Sequence, residues 1–300
     1  MYFRRVFVGL DLELRDLSSD EFVPPLTRQL VERGLEVAAA QRGELQFCAV
    51  IDGLDLTRTP TTPQQISAFA GMLSERLDGL ADEAREAGID CETSLLGGTA
   101  WQELLREADE WSADLMLVGS RPQPSPLGAT ALKLLHSATC PVLVERVGQG
   151  AASNEDEGEP LHVLIANDLS DAGGEMLMTL VGSGLWRDAK CWLTNIVEPE
   201  RWPEAWRVGV SDEELARRQA ARAESARLKL HEQLSPTDHR TMTYGILTHV
   251  AEGVFSITLR QLIDEWKIDL LVCGSGRRMD ALIPQVPCSL LVFPDLRQMY

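Results

Sequence analysis

The chain has 300 residues and a mass of 33.2 kDa, about twice a typical domain, so two domains are the first expectation. Apolar residues make up 44 % and charged residues 25 %, a balance that excludes a disordered, collagen-like or disulfide-dense chain. A net charge of −18, from 28 basic and 46 acidic side chains, repels phosphate backbones and anionic bilayers, so neither nucleic acid nor membrane is an expected partner.

The opening Met1-Tyr2-Phe3-Arg4-Arg5 runs into a strand-like segment without a signal-peptide layout, and no apolar run reaches the roughly 18 residues of a spanning helix. A cytoplasmic location is the expectation. In the first half, strands are predicted near 4–10, 45–51, 90–96, 115–119 and 142–146, and helices near 24–41, 64–87, 100–112 and 129–137. The first and fourth strands are near-continuous apolar runs, as parallel strands covered on both faces should be. Over 64–87, Ile66, Phe69, Leu73, Leu77, Leu80 and Ala84 recur at three- and four-residue steps, and Gly88 stands where a helix ends. Residues 148–160, small and acidic without apolar periodicity, read as a linker. The second half repeats the plan, with strands near 162–167, 190–196, 240–246, 269–273 and 289–293 and helices near 172–185, 212–234, 255–267 and 278–284.

The halves are one unit written twice. Asp109-Glu110-Trp111-Ser112-Ala113-Asp114-Leu115 matches Asp264-Glu265-Trp266-Lys267-Ile268-Asp269-Leu270, and Val6 to Asp11 matches Val163 to Asp168. A repeat of this length is a whole domain. Strand–helix alternation predicts an α/β fold: two doubly wound, five-stranded parallel-sheet, Rossmann-like domains over 1–147 and 161–300. Ligands of such sheets bind beyond the carboxyl ends of the strands where strand order reverses. Asp11 and Asp168 end the first strands there, and Gly119 and Gly274 the fourth.

An apolar strand ending in Asp, then Ala113-Asp114-Leu115-Met116-Leu117-Val118-Gly119-Ser120, a turn, a helix and Cys140-Pro141-Val142-Leu143-Val144, together resemble the universal stress protein family. The resemblance covers nearly all of both halves, as in the family's tandem members. It implies that ATP-binding members carry Gly-x-x-Gly, nine residues, then Gly-Ser/Thr, glycines and a helix start that let backbone amides meet phosphate. By that resemblance the candidate adenine-nucleotide site of the first half comprises Asp11, Val50, Gly119, Ser120, Gly128, Ala129 and Thr130. The loop departs from the pattern: eight residues separate Gly119 from Gly128, Pro122 holds the second glycine position, and Ala129 replaces the hydroxyl residue. Pro122, Pro124 and Pro126 each remove an amide donor, and the cleft beside Asp11 is expected to be narrowed. Glu13, Asp16, Asp20 and Glu21 crowd the same place with negative charge, which a triphosphate would need Mg²⁺ to offset. In the second half Gly274-Ser275-Gly276 runs straight into Arg277-Arg278, leaving no loop to wrap a triphosphate. The two arginines could meet an anion or simply be solvated.

Six cysteines show no CxxC or zinc spacing and read as buried reduced thiols, and His136, His162, His231, His239 and His249 show no metal spacing either. Asp114 and Asp269 read as turn hydrogen-bonders or as family signatures. Trp202 and Trp206 read as packing over their own domain or as anchors for a partner. The leading expectation is a cytoplasmic tandem universal stress protein acting as a non-catalytic stress-response module, with no required cofactor and an unknown protein partner. The resemblance also implies pairing of the two halves through Pro141 to Val144 and Ser289 to Val292, a pseudo-dimer within one chain, with a homodimer left open. The alternative is a sensor binding ATP or AMP with Mg²⁺ in the first half. An enzyme on the same fold would need a general base and a cation clamp, which the motifs do not supply.

Overall fold

The computed structural model describes residues 3–12, 24–52, 62–120, 127–146, 159–200, 211–276, 282 and 285–294. The chain divides into two compact units, one of Met1–Ala152 with Ser289–Tyr300 and the other of Ser153–Cys288.

Unit 1 runs β1 (Arg5–Leu10), α1 (Pro25–Gln41), β2 (Glu44–Asp52), α2 (Pro63–Glu86), β3 (Asp90–Gly98), α3 (Ala100–Glu110), β4 (Leu115–Ser120), α4 (Ala129–Ser137) and β5 (Val142–Arg146), and is completed by β10 (Ser289–Phe293). Its strand order is β3-β2-β1-β4-β5-β10. The first five are parallel, and β10 lies antiparallel to β5 with Leu291 opposite Leu143. Unit 2 runs β6 (His162–Ala166), α5 (Asp171–Ser183), β7 (Lys190–Val197), α6 (Asp212–Leu234), β8 (Ile246–Glu252), α7 (Phe255–Glu265) and β9 (Leu270–Gly274). Its parallel strands are ordered β9-β6-β7-β8. Both sheets are doubly wound, with strand order reversing between β1 and β4 and between β6 and β9. The last strand expected for the second half belongs by its contacts to unit 1.

Local chemistry explains most boundaries. Thr62 and Gln65 form a reciprocal capping box that starts α2, and Gly88, at φ +79°, ends it in a conformation other residues adopt poorly. Ser170 and Ser211 cap α5 and α6. The strand expected over 240–246 lies one strand-length later. Residues 239–241 make a 3-10 turn, and the pairing of Cys191 with Ile246 sets where β8 begins.

Apolar side chains fill both sheets: Val6, Phe7, Val8, Phe47 and Leu115 to Leu117 in unit 1, and Val163 to Ile165, Leu193 and Leu271 in unit 2, are essentially inaccessible. Asp114 accepts the Arg4 and Arg5 amides, each at 3.0 Å, and Asp269 accepts the His162 amide at 2.8 Å. These aspartates tie the start of each first strand to the start of each fourth. All six cysteines are buried. Burial pushes the thiols of Cys48, Cys140 and Cys191 up to about 12 and that of Cys91 to about 11, which keeps them protonated and unreactive. Among the described residues, no helix is long and apolar enough to cross a membrane.

Candidate functional site

The sequence-derived site gathers at the carboxyl ends of β1, β2 and β4 in unit 1. Asp11 follows β1 and is exposed, Val50 lies near the end of β2, and Gly119 and Ser120 close β4. Gly128 caps α4, with Ala129 exposed and Thr130 half-buried in its first turn. The fold therefore brings the strand ends and the α4 start to one end of the sheet.

A side chain of α1 lies against Gly119 at the carboxyl end of β4. A β-carbon at Gly119 would come within 2.7, 2.8 and 3.1 Å of Leu26 carbons, so the space a glycine leaves open is taken by leucine. Leu26 is 8 % exposed and its neighbour Thr27 2 %. Thr27 Oγ1 donates to the Asp11 carbonyl at 3.3 Å, drawing the β1 end onto α1. The turn before α4 is also engaged: the Gly128 amide donates to Ser120 Oγ at 3.1 Å, and Ser120 is buried. An amide that could face a phosphate is thus held by the protein's own hydroxyl. No side chain caps α4, and its first turn carries no acidic residue. A β-carbon at Gly128 would meet nothing within 4 Å.

In unit 2 the corresponding turn is closed by its own polar groups. Asn167 is buried; its Oδ1 accepts the Leu169 amide at 2.7 Å and its Nδ2 donates to the Gly173 carbonyl at 3.1 Å. Asp168 Oδ1 accepts both the amide and the hydroxyl of Ser170, and Ser170 Oγ accepts the Gly173 amide in turn. The carboxylate at the place of Asp11 is engaged in shaping the turn into α5.

Histidines scattered in the sequence come together around two tryptophans of unit 2. Trp192 and Trp266 stack with centroids 5.3 Å apart, His162 meets Trp192 edge-on at 5.3 Å, and His249 meets Trp266 edge-on at 5.0 Å. His162 Nδ1 lies 2.9 Å from the Trp266 carbonyl. Burial lowers the His249 pKa and nearby Arg227 lowers it further, against an opposing pull from Glu265. A small apolar recess lined by Ile165, Leu180, Trp186, Cys191 and Met242 opens near the starts of β7 and β8, away from the strand ends where ligands of this fold sit. Among the described residues, no cluster of three or more His, Cys, Asp or Glu side chains is placed to hold a metal ion.

The loop prolines 122, 124 and 126, the carboxylates at 13, 16, 20 and 21, Arg277, Arg278, the 278–284 helix apart from Leu282, Trp202, Trp206 and most of the linker lie outside the described residues. Leu26 is what sequence reasoning missed beside Gly119; Ser120 was a candidate site residue, but its bond to the Gly128 amide was not foreseen. Leu26 follows Pro24-Pro25 at a helix start and reads only as one more core leucine.

Comparison with known proteins agrees with this architecture. A family model described as Universal stress protein family matches residues 24–146. Universal stress protein YxiE of Bacillus subtilis (strain 168) is 34 % identical over 74 residues, 23 % of this chain and 50 % of that protein, so the match spans half the length of this curated relative. The crystal structure of a universal stress protein from Archaeoglobus fulgidus DSM 4304 aligns over 98 % of this chain and 99 % of its own, at 15 % identity and a TM-score of 0.63. A functionally unknown protein from Pseudomonas aeruginosa PAO1 aligns over 97 % of this chain and 92 % of its own, at 16 % identity and a TM-score of 0.64. These two structures share the fold.

Proposed function

We propose that this chain, whose residues 24–146 match the universal stress protein family model, is a member of that family acting as a non-catalytic regulatory or interaction module of the cytoplasm. One observation carries the reading: Leu26 packs against Gly119, at the strand ends where a nucleotide on an open α/β sheet would lie. The Gly128 amide engaged by Ser120 and the Asp168 carboxylate engaged by Ser170 support it from both halves. Net negative charge points in the same direction, since an anionic ligand must approach against it.

A second reading, an adenine-nucleotide sensor in unit 1, is favoured by the start of α4. That helix start has no side-chain cap and no acidic residue in its first turn, and the positive end of a helix attracts phosphate. Titration calorimetry with ATP, ADP and AMP, with and without Mg²⁺, separates the two. The module reading expects no heat at millimolar nucleotide. Saturable heat that disappears in Gly128→Val replaces it with the sensor reading. The protein partner of the module, and any homodimer, belong to the same proposal. Light scattering that returns a single species near 33 kDa limits self-association to the single chain.

A further inference from the structure

Strand β5 carries a residue unusual for a covered strand. All five of its residues are buried, and Glu145 is 2 % exposed. Three donors satisfy its carboxylate: Arg33 Nε at 2.9 Å and Gln29 Nε2 at 3.2 Å from α1, and Ser289 Oγ at 2.9 Å from β10. A buried carboxylate is costly wherever a donor is missing, so the residue that the neighbouring strand presents at this position matters.

Cys140-Pro141-Val142-Leu143-Val144-Glu145 and Cys288-Ser289-Leu290-Leu291-Val292-Phe293 are the same segment of the repeat. They run antiparallel with Leu143 opposite Leu291, so each strand meets its duplicate at the matching residue. Continued by one position, this register sets Ser289 opposite Glu145. If β5 paired in the same register with β5 of a second copy, Glu145 would face Pro141. Proline offers neither an amide hydrogen nor a hydroxyl, and a symmetric pair would incur the loss twice. The other end of the strand discriminates as well. Phe293 packs against Phe3 with ring centroids 6.3 Å apart, and Phe3 is 2 % exposed. In a like-for-like pair the duplicate of Phe293, Glu145, would bring a carboxylate to that apolar position.

We infer that the β5 edge is built to accept this chain's own C-terminal strand and to reject a second copy of itself, with Glu145 as the specificity-determining residue. The device is a buried carboxylate that keeps Arg33 and Gln29 but is left one donor short in the wrong complex, a penalty against the wrong partner rather than added attraction to the right one.

Amide exchange followed by mass spectrometry on the full chain tests this. Ser289→Ala removes one hydroxyl and is expected to raise exchange of the β5 and β10 amides together by about tenfold or more, leaving β2 and β3 unchanged. Ser289→Thr keeps the hydroxyl and stays within about twofold of the parent. In a Glu145→Gln background the group left short is neutral, and Ser289→Ala is expected to raise exchange less than about threefold. For the rejected partner, light scattering compares Ser289→Ala with the same chain carrying Pro141→Ser, which restores a hydroxyl opposite Glu145 in a like-for-like pair. The added serine is expected to increase the dimer fraction at least about fivefold. The inference is overturned by a tenfold effect that persists with glutamine, by no effect with glutamate, or by equal dimer fractions with and without Pro141→Ser.

Discussion

Replacing Gly119 by alanine tests whether the crevice is filled. The added β-carbon would lie 2.7 Å from one Leu26 carbon and 2.8 and 3.1 Å from two others, against about 3.5–4.0 Å for carbon atoms in comfortable contact. Because Leu26 Cγ as well as the chain tip is involved, rotation about χ2 alone cannot relieve all three contacts at once. Overpacking of this kind costs about 1–3 kcal/mol. For a unit of this size that lowers the melting midpoint by about 2–4 °C per kcal/mol. Leu26→Ala alone costs about 2–3 kcal/mol through the space it leaves. The double variant should be more stable than the sum of the single costs predicts, by about 1–2 kcal/mol, because alanine at 119 occupies part of that space. Urea unfolding followed through Trp101 and Trp111, both in unit 1, reports the relevant transition. Strict additivity of the two substitutions would refute the reasoning, as would a Gly119→Ala chain as stable as the parent.

Further expectations follow from the same contacts. Asp114→Ala frees the Arg4 and Arg5 amides at the start of β1 and should cost about 1–2 kcal/mol in urea unfolding, with Asp114→Asn recovering part of it. Cys48, Cys91, Cys140 and Cys191, whose thiols burial holds at about 11 to 12, should resist a disulfide reagent at pH 8 in the folded protein and react once urea is added. Because those folded values lie above the ordinary 9.0, the protonated folded state loses relative stability as pH rises from about 9 toward 12; equilibrium unfolding across that window checks the sign. For His249 the shift is downward from 6.5, so its contribution is intact above pH 6.5 and is lost as pH falls below it. His249→Gln should flatten the pH dependence of unit 2 stability between about pH 7 and 5, read from tryptophan fluorescence.

Much of the fold was legible because it rests on periodicity. The duplicated Asp-Glu-Trp segments and the apolar strands show their repeat and their burial directly in the residue order. The aspartates at 114 and 269 were recognisable as hydrogen-bonding turn residues, though which amides they accept depends on strand neighbours more than 100 residues away. The start of β8 was misplaced because Met242-Thr243-Tyr244 has strand character by composition, whereas the register against Cys191 decides the boundary. The candidate site was legible in its backbone positions and illegible in its filling. Leu26 carries no motif, and only the approach of α1 to Gly119 gives it a role. Glu145 was hidden for a similar reason: a carboxylate at the end of an apolar strand reads as a solvated terminus until its donors are known.

The antiparallel partner of β5 has a consequence for biosynthesis. Glu145 and Ser289 are 144 positions apart, so a ribosome working at about 5–20 residues per second needs roughly 7–30 s between delivering the two. Once the amino-terminal lobe has left the exit tunnel, it spends the rest of that interval with one margin of its sheet unclosed. An inward carboxylate on that margin is poor bait for β5 of another nascent chain on the same message, which would set Pro141 rather than a hydroxyl opposite it. The side chain that later latches the carboxyl terminus therefore also guards the lobe while translation finishes.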